Sequence, residues 1–486
     1  MAGIANTGKG LRTGAINFWR YVAISMSGVF VYGIAVAVAG GYIDYAQNAA
    51  IYVGILGLIV VILISVPIME YTRLVNFAGG YYGLAEIGFG KAVGKYTALL
   101  NYAYFTFLQI GNGLLTAELL LVAVYIIYGV LFPVWVVVII AFITLVVMFL
   151  GAIYRVNNLT KMIQISVVIQ VAVMLISAIY VILKTPYNSI SYFNPLTAPH
   201  GFASIGLGAA VSGFLTYEAY GTGLFFSEEG KEAKKAVWRS IIFALIIATL
   251  IGVVSIYSEL AASHNIAGLA SSPIPLVTAY LPYVGGFVAL FLVLLFVPFY
   301  FSSNVLGTSG AQARLLYSLS RDGFIKSDKL SQLGKQQTPV NAAIVNFILA
   351  AIGTIVVMAV VIPVYGYNET TLFYVAFAPY TAATILWYFH HFIPDVSLYF
   401  YYRKAKIKVS FIRKLVVGVL TPAFGVGIFV FAFYDGVVSS EVEPYFAFVV
   451  VAAIIAIGSA VYVAIKAKLN ALGGSFVTER IELENK

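Results

Sequence analysis

The segment VWVVVIIAFITLVVMFL, residues 134–150, carries no charge and no turn residue, and nothing but lipid or a protein core can shelter it. It is one of twelve apolar runs of about the length an α-helix needs to cross some 30 Å of hydrocarbon. They fall near 20–40, 49–69, 96–128, 133–153, 161–183, 203–226, 237–261, 285–308, 340–362, 371–393, 412–434 and 445–466. A membrane β-barrel would instead alternate apolar and polar residues in strands of about ten. The fold class expected is therefore all-α: a polytopic membrane protein with twelve transmembrane helices. Only 10% of residues are charged, against about a quarter in soluble domains.

Charge distribution orients the chain. With the N-terminus placed in the cytoplasm, every one of the 28 Lys and Arg residues except Lys184 falls on the inner side, as positive charge does in membrane proteins. The outer loops receive Asp44, Glu259, Glu369, Asp435, Glu441 and Glu443. Both tails, 1–19 and 467–486, are expected to be cytoplasmic, in a plasma-membrane protein whose environment is the bilayer. The net charge of +9 is spread over all the inner loops rather than gathered into one patch, which argues against nucleic acid as a partner.

Several chemistries drop out. There is no cysteine, so neither a disulfide nor a thiolate metal site is available. GIANTGKG at 3–10 has Gly10 where a phosphate-binding loop needs Ser or Thr, and no strand precedes it. His200, His264, His390 and His391 show no metal-ligand spacing and read as interfacial or structural. No cofactor or resident metal is expected. A membrane enzyme would need clustered catalytic groups, and an ion channel a polar pore lining or a selectivity loop; neither pattern is present.

Polar residues inside the apolar runs mark what remains. Glu118 in segment 3 and Glu218 in segment 6 stand within the expected hydrocarbon region, where an acidic residue costs on the order of 2.5 to 3.5 kcal/mol. Around Glu218, Gly213, Gly221 and Gly223 weaken the helix in GFLTYEAYGTGLFFSEE. Segment 1 has a comparable interruption in ISMSGVFVYG, with Ser25, Ser27, Gly28 and Gly33. Unwound backbone is tolerated in a membrane only where it lines a cavity or binds a solute. Two such segments five apart point to the substrate site of a carrier built from two five-helix repeats of inverted topology.

Four local patterns carry a family likeness. SGVFVYG (27–33) resembles the helix-1 signature of the amino acid-polyamine-organocation superfamily, with Met26 where its first glycine is usual. EYTRLVNFAGGYY (70–82) is similar to its pattern after helix 2, and ARLLYSLSRDGFI (313–325) to the loop after helix 8. YEAYGTGLFFSEEGKEAKKAVWRSI (217–241) resembles its helix-6 pattern, with Ala219 in place of a glycine and the acid at Glu218 instead of Gly221. The resemblance implies an amino acid permease: repeats at 20–183 and 203–393, two further helices at 411–466, and alternating access to a site between helices 1, 3, 6 and 8.

On that basis Ser27, Gly28, Val29, Leu215, Tyr217, Glu218, Tyr220 and Gly221 are the expected substrate-binding residues. Amides around Ser27 and Gly28 would hold the carboxylate of an amino acid, and carbonyls near 215–218 its ammonium group. An alternative register puts the helix-1 break at Val31 to Gly33. A carboxyl deprived of water prefers its neutral form, so Glu218 is the leading proton-coupling candidate and Glu118 the reserve. Sodium is the competing ion, with Ser302 and Ser303 as oxygen ligands. Gln164 aligns with the helix-5 position where one proton-coupled branch of the superfamily carries a lysine. Glu218 facing a cationic side chain would favour basic amino acids or polyamines.

Overall fold

A computed structural model describes residues 10–29, 33–214, 216–434 and 445–484. In chain order the helices are α1 (Phe18–Gly28), α2 (Ala39–Ala46), α3 (Ile51–Leu74), α4 (Tyr81–Phe89), α5 (Lys91–Tyr128), α6 (Val134–Ile153), α7 (Val156–Lys184), α8 (Phe202–Gly208) and α9 (Ala233–Ala262). Then follow α10 (Ile266–Ala270), α11 (Pro275–Tyr300), α12 (Leu306–Arg321), α13 (Val340–Tyr365), α14 (Glu369–Lys404), α15 (Phe411–Leu415), α16 (Thr421–Tyr434), α17 (Tyr445–Lys468) and α18 (Phe476–Glu484). Among the described residues, ten helical stretches are long and apolar enough to cross a membrane. The remaining two expected spans, segments 1 and 6, are the ones that do not run as continuous helices.

Segment 1 is α1, a break, a π-helical stretch Ile34–Val38, and α2. Segment 6 is α8, a π-helical stretch Ala209–Gly213, turns at 216–219, and a 3-10 stretch Tyr220–Glu229. Ten residues of 3-10 helix is unusually long, because its hydrogen-bond geometry is poorer than that of an α-helix. Gly221 and Gly223 remove the side chains that would crowd this tighter winding.

Around these two segments the continuous helices form the scaffold. α14 packs along α5 and α4, α3 along α9, and α1 lies among α7, α9 and the 3-10 stretch. α17 covers α5 and α14, while α13 covers α6. α14 runs on to Lys404, well past the expected end at 393, because a proline inside a membrane helix removes one backbone hydrogen bond without ending it where neighbours support the turn. Pro379 and Pro394 both lie within α14. Glu259, expected in an outer loop, is instead fully buried in the last turns of α9 and accepts a 3.3 Å hydrogen bond from the Ser255 hydroxyl. Asp435, Glu441 and Glu443 lie outside the described residues.

Candidate substrate site at the two helix breaks

α1 ends at Gly28, and Val29 is extended (φ −101°, ψ 111°), its N–H bonding to the Met26 carbonyl at 3.2 Å. Gly28 abuts the turn of segment 6: a β-carbon there would sit 2.7 Å from both the Ala219 carbonyl carbon and Thr222 Oγ1, and closer still to the carbonyl oxygen. Only glycine allows this approach. Thr222 Oγ1 in turn donates to the Ala219 carbonyl at 2.6 Å, and Ser27 Oγ, beside Gly307 of α12, donates to the Ile24 carbonyl at 2.7 Å. The two breaks therefore meet each other, with α12 alongside.

The polarity at Ser27 and Gly28 is the reverse of the expected one. They occupy the last turn of α1, where a helix leaves carbonyls rather than amides unpaired, so this end suits an ammonium group or a cation. On the far side of the break the described chain is helical from Gly33 onward. Val31 and Tyr32 of the alternative register, and Leu215, lie outside the described residues.

The other expected residues of segment 6 point to its neighbours. Tyr217 is tied to α3 and α9 through Gly54 O (3.1 Å) and Thr249 Oγ1 (2.5 Å). Glu218, 1% exposed, hydrogen-bonds Thr384 of α14 with one carboxyl oxygen; the other has no hydrogen-bond partner among the described residues. Tyr220 Oη lies 2.5 Å from Nε2 of His391, also on α14. Gly221 lets the Tyr81 hydroxyl of α4 come against the chain.

Glu118 is buried on α5 near Tyr445, the first residue of α17, and neither carboxyl oxygen has a hydrogen-bond partner among the described residues. Ser303 lies in the π-helical stretch Phe301–Val305 and accepts from Gln170 Nε2 at 2.6 Å; the Ser302 side chain lies outside the described part. Gln170 also donates to Phe299 O at 2.6 Å. The helix-5 amide that reaches α12's end of the site is thus Gln170, whereas Gln164 is half-buried on α7.

Three polar assemblies surround the breaks that the sequence reading did not assemble. On α14, His391 Nδ1 lies 3.0 Å from Asp395 Oδ2, and His390 Nε2 2.9 Å from Asn101 Nδ2. Their i, i+4 spacing, which puts His391 and Asp395 on one helix face, was the available signal. Between α5, α12's approach and α14, Tyr380 Oη donates to Asn112 Oδ1 (2.6 Å) and Asn112 Nδ2 to Asn304 Oδ1 (3.2 Å).

The third assembly closes the face that carries the basic loops. Arg314 forms a fully buried double contact with the Glu229 carboxylate and lies 4.1 Å over the Phe226 ring. Arg321 clasps Glu228 at 2.9 and 3.0 Å. Lys95 bridges Asp322 (2.5 Å) and Glu86 (3.2 Å). Burial pushes the Glu86 carboxyl above the usual carboxylate range, with Lys95 pulling it back down. The base of α1 joins the same knot, for Ala15 N–H donates to Glu229 O at 2.8 Å and Tyr21 Oη to Phe226 O at 2.8 Å.

Two interrupted spans thus pack break to break inside a scaffold of continuous ones. Residues 16–457 match the family described as amino acid permease. The chain belongs to that family. This permease is a membrane transporter, not an enzyme. Among solved structures it is similar to the manganese transporter of Eremococcus coleocola bound to an aromatic bis-isothiourea compound, at 14% identity and a TM-score of 0.58, covering 96% of this chain and 99% of that one. A histidine-to-alanine mutant of the same transporter matches at 14% identity and 0.56, covering 95% and 99%. At that identity the likeness concerns the fold. No curated protein matches the sequence significantly.

Proposed function

We propose that this permease moves amino acids across the plasma membrane by alternating access, with both termini in the cytoplasm and a proton as the coupled ion. The observation that supports the reading is the approach of Gly28 to the Ala219 turn, which brings the carbonyl end of α1 against the turns of segment 6 deep in the protein. The ammonium group of an amino acid rests on the carbonyls at Ser27 and Gly28, and its carboxylate on the amides where segment 1 resumes at Gly33. Glu218 is the carboxyl nearest this point in the chain and the group that exchanges a proton as the site changes sides. Ser303 is already engaged by Gln170, which weakens the case for a sodium site there.

The test is uptake by proteoliposomes. Labelled leucine, arginine and putrescine are offered separately under an imposed pH gradient, a sodium gradient, or neither. Accumulation of an amino acid that follows the pH gradient and collapses with a protonophore is the expected result. Accumulation that follows sodium, or uptake of putrescine alone, would overturn the coupling or the substrate assignment respectively.

A further inference from the structure

A groove of about 610 Å³ opens where the start of α1 meets the start of α9, on the face that carries the basic loops. Its volume lies in the range of about 300 to 1,000 Å³ typical of small-molecule sites. Lys231, Lys235 and Arg239 line it opposite Asn17 and Phe18, and Glu232 is its single carboxylate. All three cations are exposed, and none has an ion-pair partner among the described residues. Elsewhere on this face basic groups are engaged by the chain itself: Arg20 by Asn157 Oδ1 (2.9 Å), Lys91 by Gly473 O (3.2 Å) and Arg314 by Glu229.

The groove leads into the bilayer. Lys235, Arg239, Phe243, Ile246 and Leu250 follow one another at intervals of four, four, three and four, so they share one face of α9. Phe243 is 47% exposed, Ile246 41% and Leu250 62%, an apolar ladder that only lipid chains cover. Phe18 meets the Phe243 ring edge-on at 5.7 Å, and Trp19, itself exposed, meets it at 6.4 Å. Tryptophan gathers at the headgroup level of a membrane, so the cations stand where lipid phosphates do and the ladder starts on their acyl side.

We infer that this groove binds one anionic lipid of the adjoining leaflet, with its phosphate among Lys231, Lys235 and Arg239 and an acyl chain along Phe243, Ile246 and Leu250. Arg239 offers a planar fork for two phosphate oxygens, and the lysines act as point charges. A soluble phosphate would use the cations and leave the ladder unused. Each basic residue near an anionic surface is worth about a factor of five in affinity. With Glu232 offsetting one of the three, the preference for an anionic over a zwitterionic lipid comes to roughly thirtyfold. Beside the groove, Lys231 N–H donates to Ile16 O at 2.8 Å and Ile16 N–H to Glu229 O at 3.2 Å, tying the approach to α1 to the end of the 3-10 stretch. The lipid spans this same seam and holds the start of α1 on α9.

Native mass spectrometry tests this on the whole chain, released from micelles that hold equal amounts of phosphatidylglycerol and phosphatidylcholine with the same acyl chains. Wild type should retain phosphatidylglycerol over phosphatidylcholine at least about tenfold, and K231Q/K235Q/R239Q should hold the two about equally. The control K404Q/K406Q/K408Q removes the same charge from the exposed basic residues at and beyond the end of α14, and should keep the wild-type ratio. Glycerol phosphate at millimolar concentration, which carries the charge without the chains, should not displace the lipid. No preference in wild type, or equal loss in the two triple variants, overturns the proposal. Displacement by glycerol phosphate overturns it too, because the groove would then belong to a soluble anion. If the triple variant does not fold, K235Q and R239Q decide singly: each is expected to lower the ratio about fivefold, and wild-type ratios in both contradict the site.

Discussion

Gly28→Ala adds one methyl group at the closest approach of the two breaks. Its carbon would stand 2.7 Å from the Ala219 carbonyl carbon and from Thr222 Oγ1, well inside the 3.5 to 4.0 Å at which such atoms attract. Neither neighbour yields easily: the first is backbone, and the second is held by its hydrogen bond to Ala219 O. Overpacking of this kind costs about 1 to 3 kcal/mol. If the strain falls on the closed, substrate-holding state, apparent affinity weakens by roughly 5- to 150-fold, since each 1.4 kcal/mol is a factor of ten. The assay is equilibrium binding of the amino acid identified by the uptake panel, with Gly458→Ala as control, where a new methyl meets nothing within 4 Å. Equal affinity in G28A and G458A, both folded, would refute the idea that the breaks close on each other around substrate.

Glu218→Gln should abolish pH-driven accumulation while part of the exchange of labelled for unlabelled amino acid survives; proton-driven uptake at the wild-type level would remove Glu218 from the coupling mechanism. Glu229→Gln leaves the buried Arg314 guanidinium without its carboxylate, so a loss of about 3 to 5 kcal/mol is expected, seen as a lower thermal unfolding midpoint in detergent; an unchanged midpoint would mean the pair contributes little. Tyr380→Phe removes the Tyr380 hydroxyl bond to Asn112 Oδ1 and should cost about 0.5 to 1.5 kcal/mol by the same measurement; an unchanged midpoint would mean that this bond contributes nothing to stability.

The architecture was readable wherever a single stretch of chain decides the outcome. Apolar length fixed the continuous spans, and glycines at 28, 213, 221 and 223 marked the two that break. Two of the four motifs behind the family likeness also found a physical meaning: Glu228 and Glu229 of the helix-6 pattern pair with Arg321 and Arg314 of the pattern after helix 8. What stayed hidden depends on partners far apart in sequence. Tyr220 and His391 are separated by 171 positions, and no local pattern links them. Asp395 lies just past the expected end of segment 10 at 393, whereas α14 continues through Pro394. Gln164 and Gln170 are equivalent as letters, and only the facing of α7 toward the Ser303 turn tells them apart.

The most direct test of the central claim uses the natural absence of cysteine. Ser27→Cys places a lone thiol at the end of α1, and its rate of modification by a small methanethiosulfonate is measured in proteoliposomes with and without the transported amino acid. Protection of tenfold or more, at concentrations that saturate transport, is the predicted result. A labelling rate unmoved by substrate, in a variant that still transports, would contradict a binding site at the facing breaks.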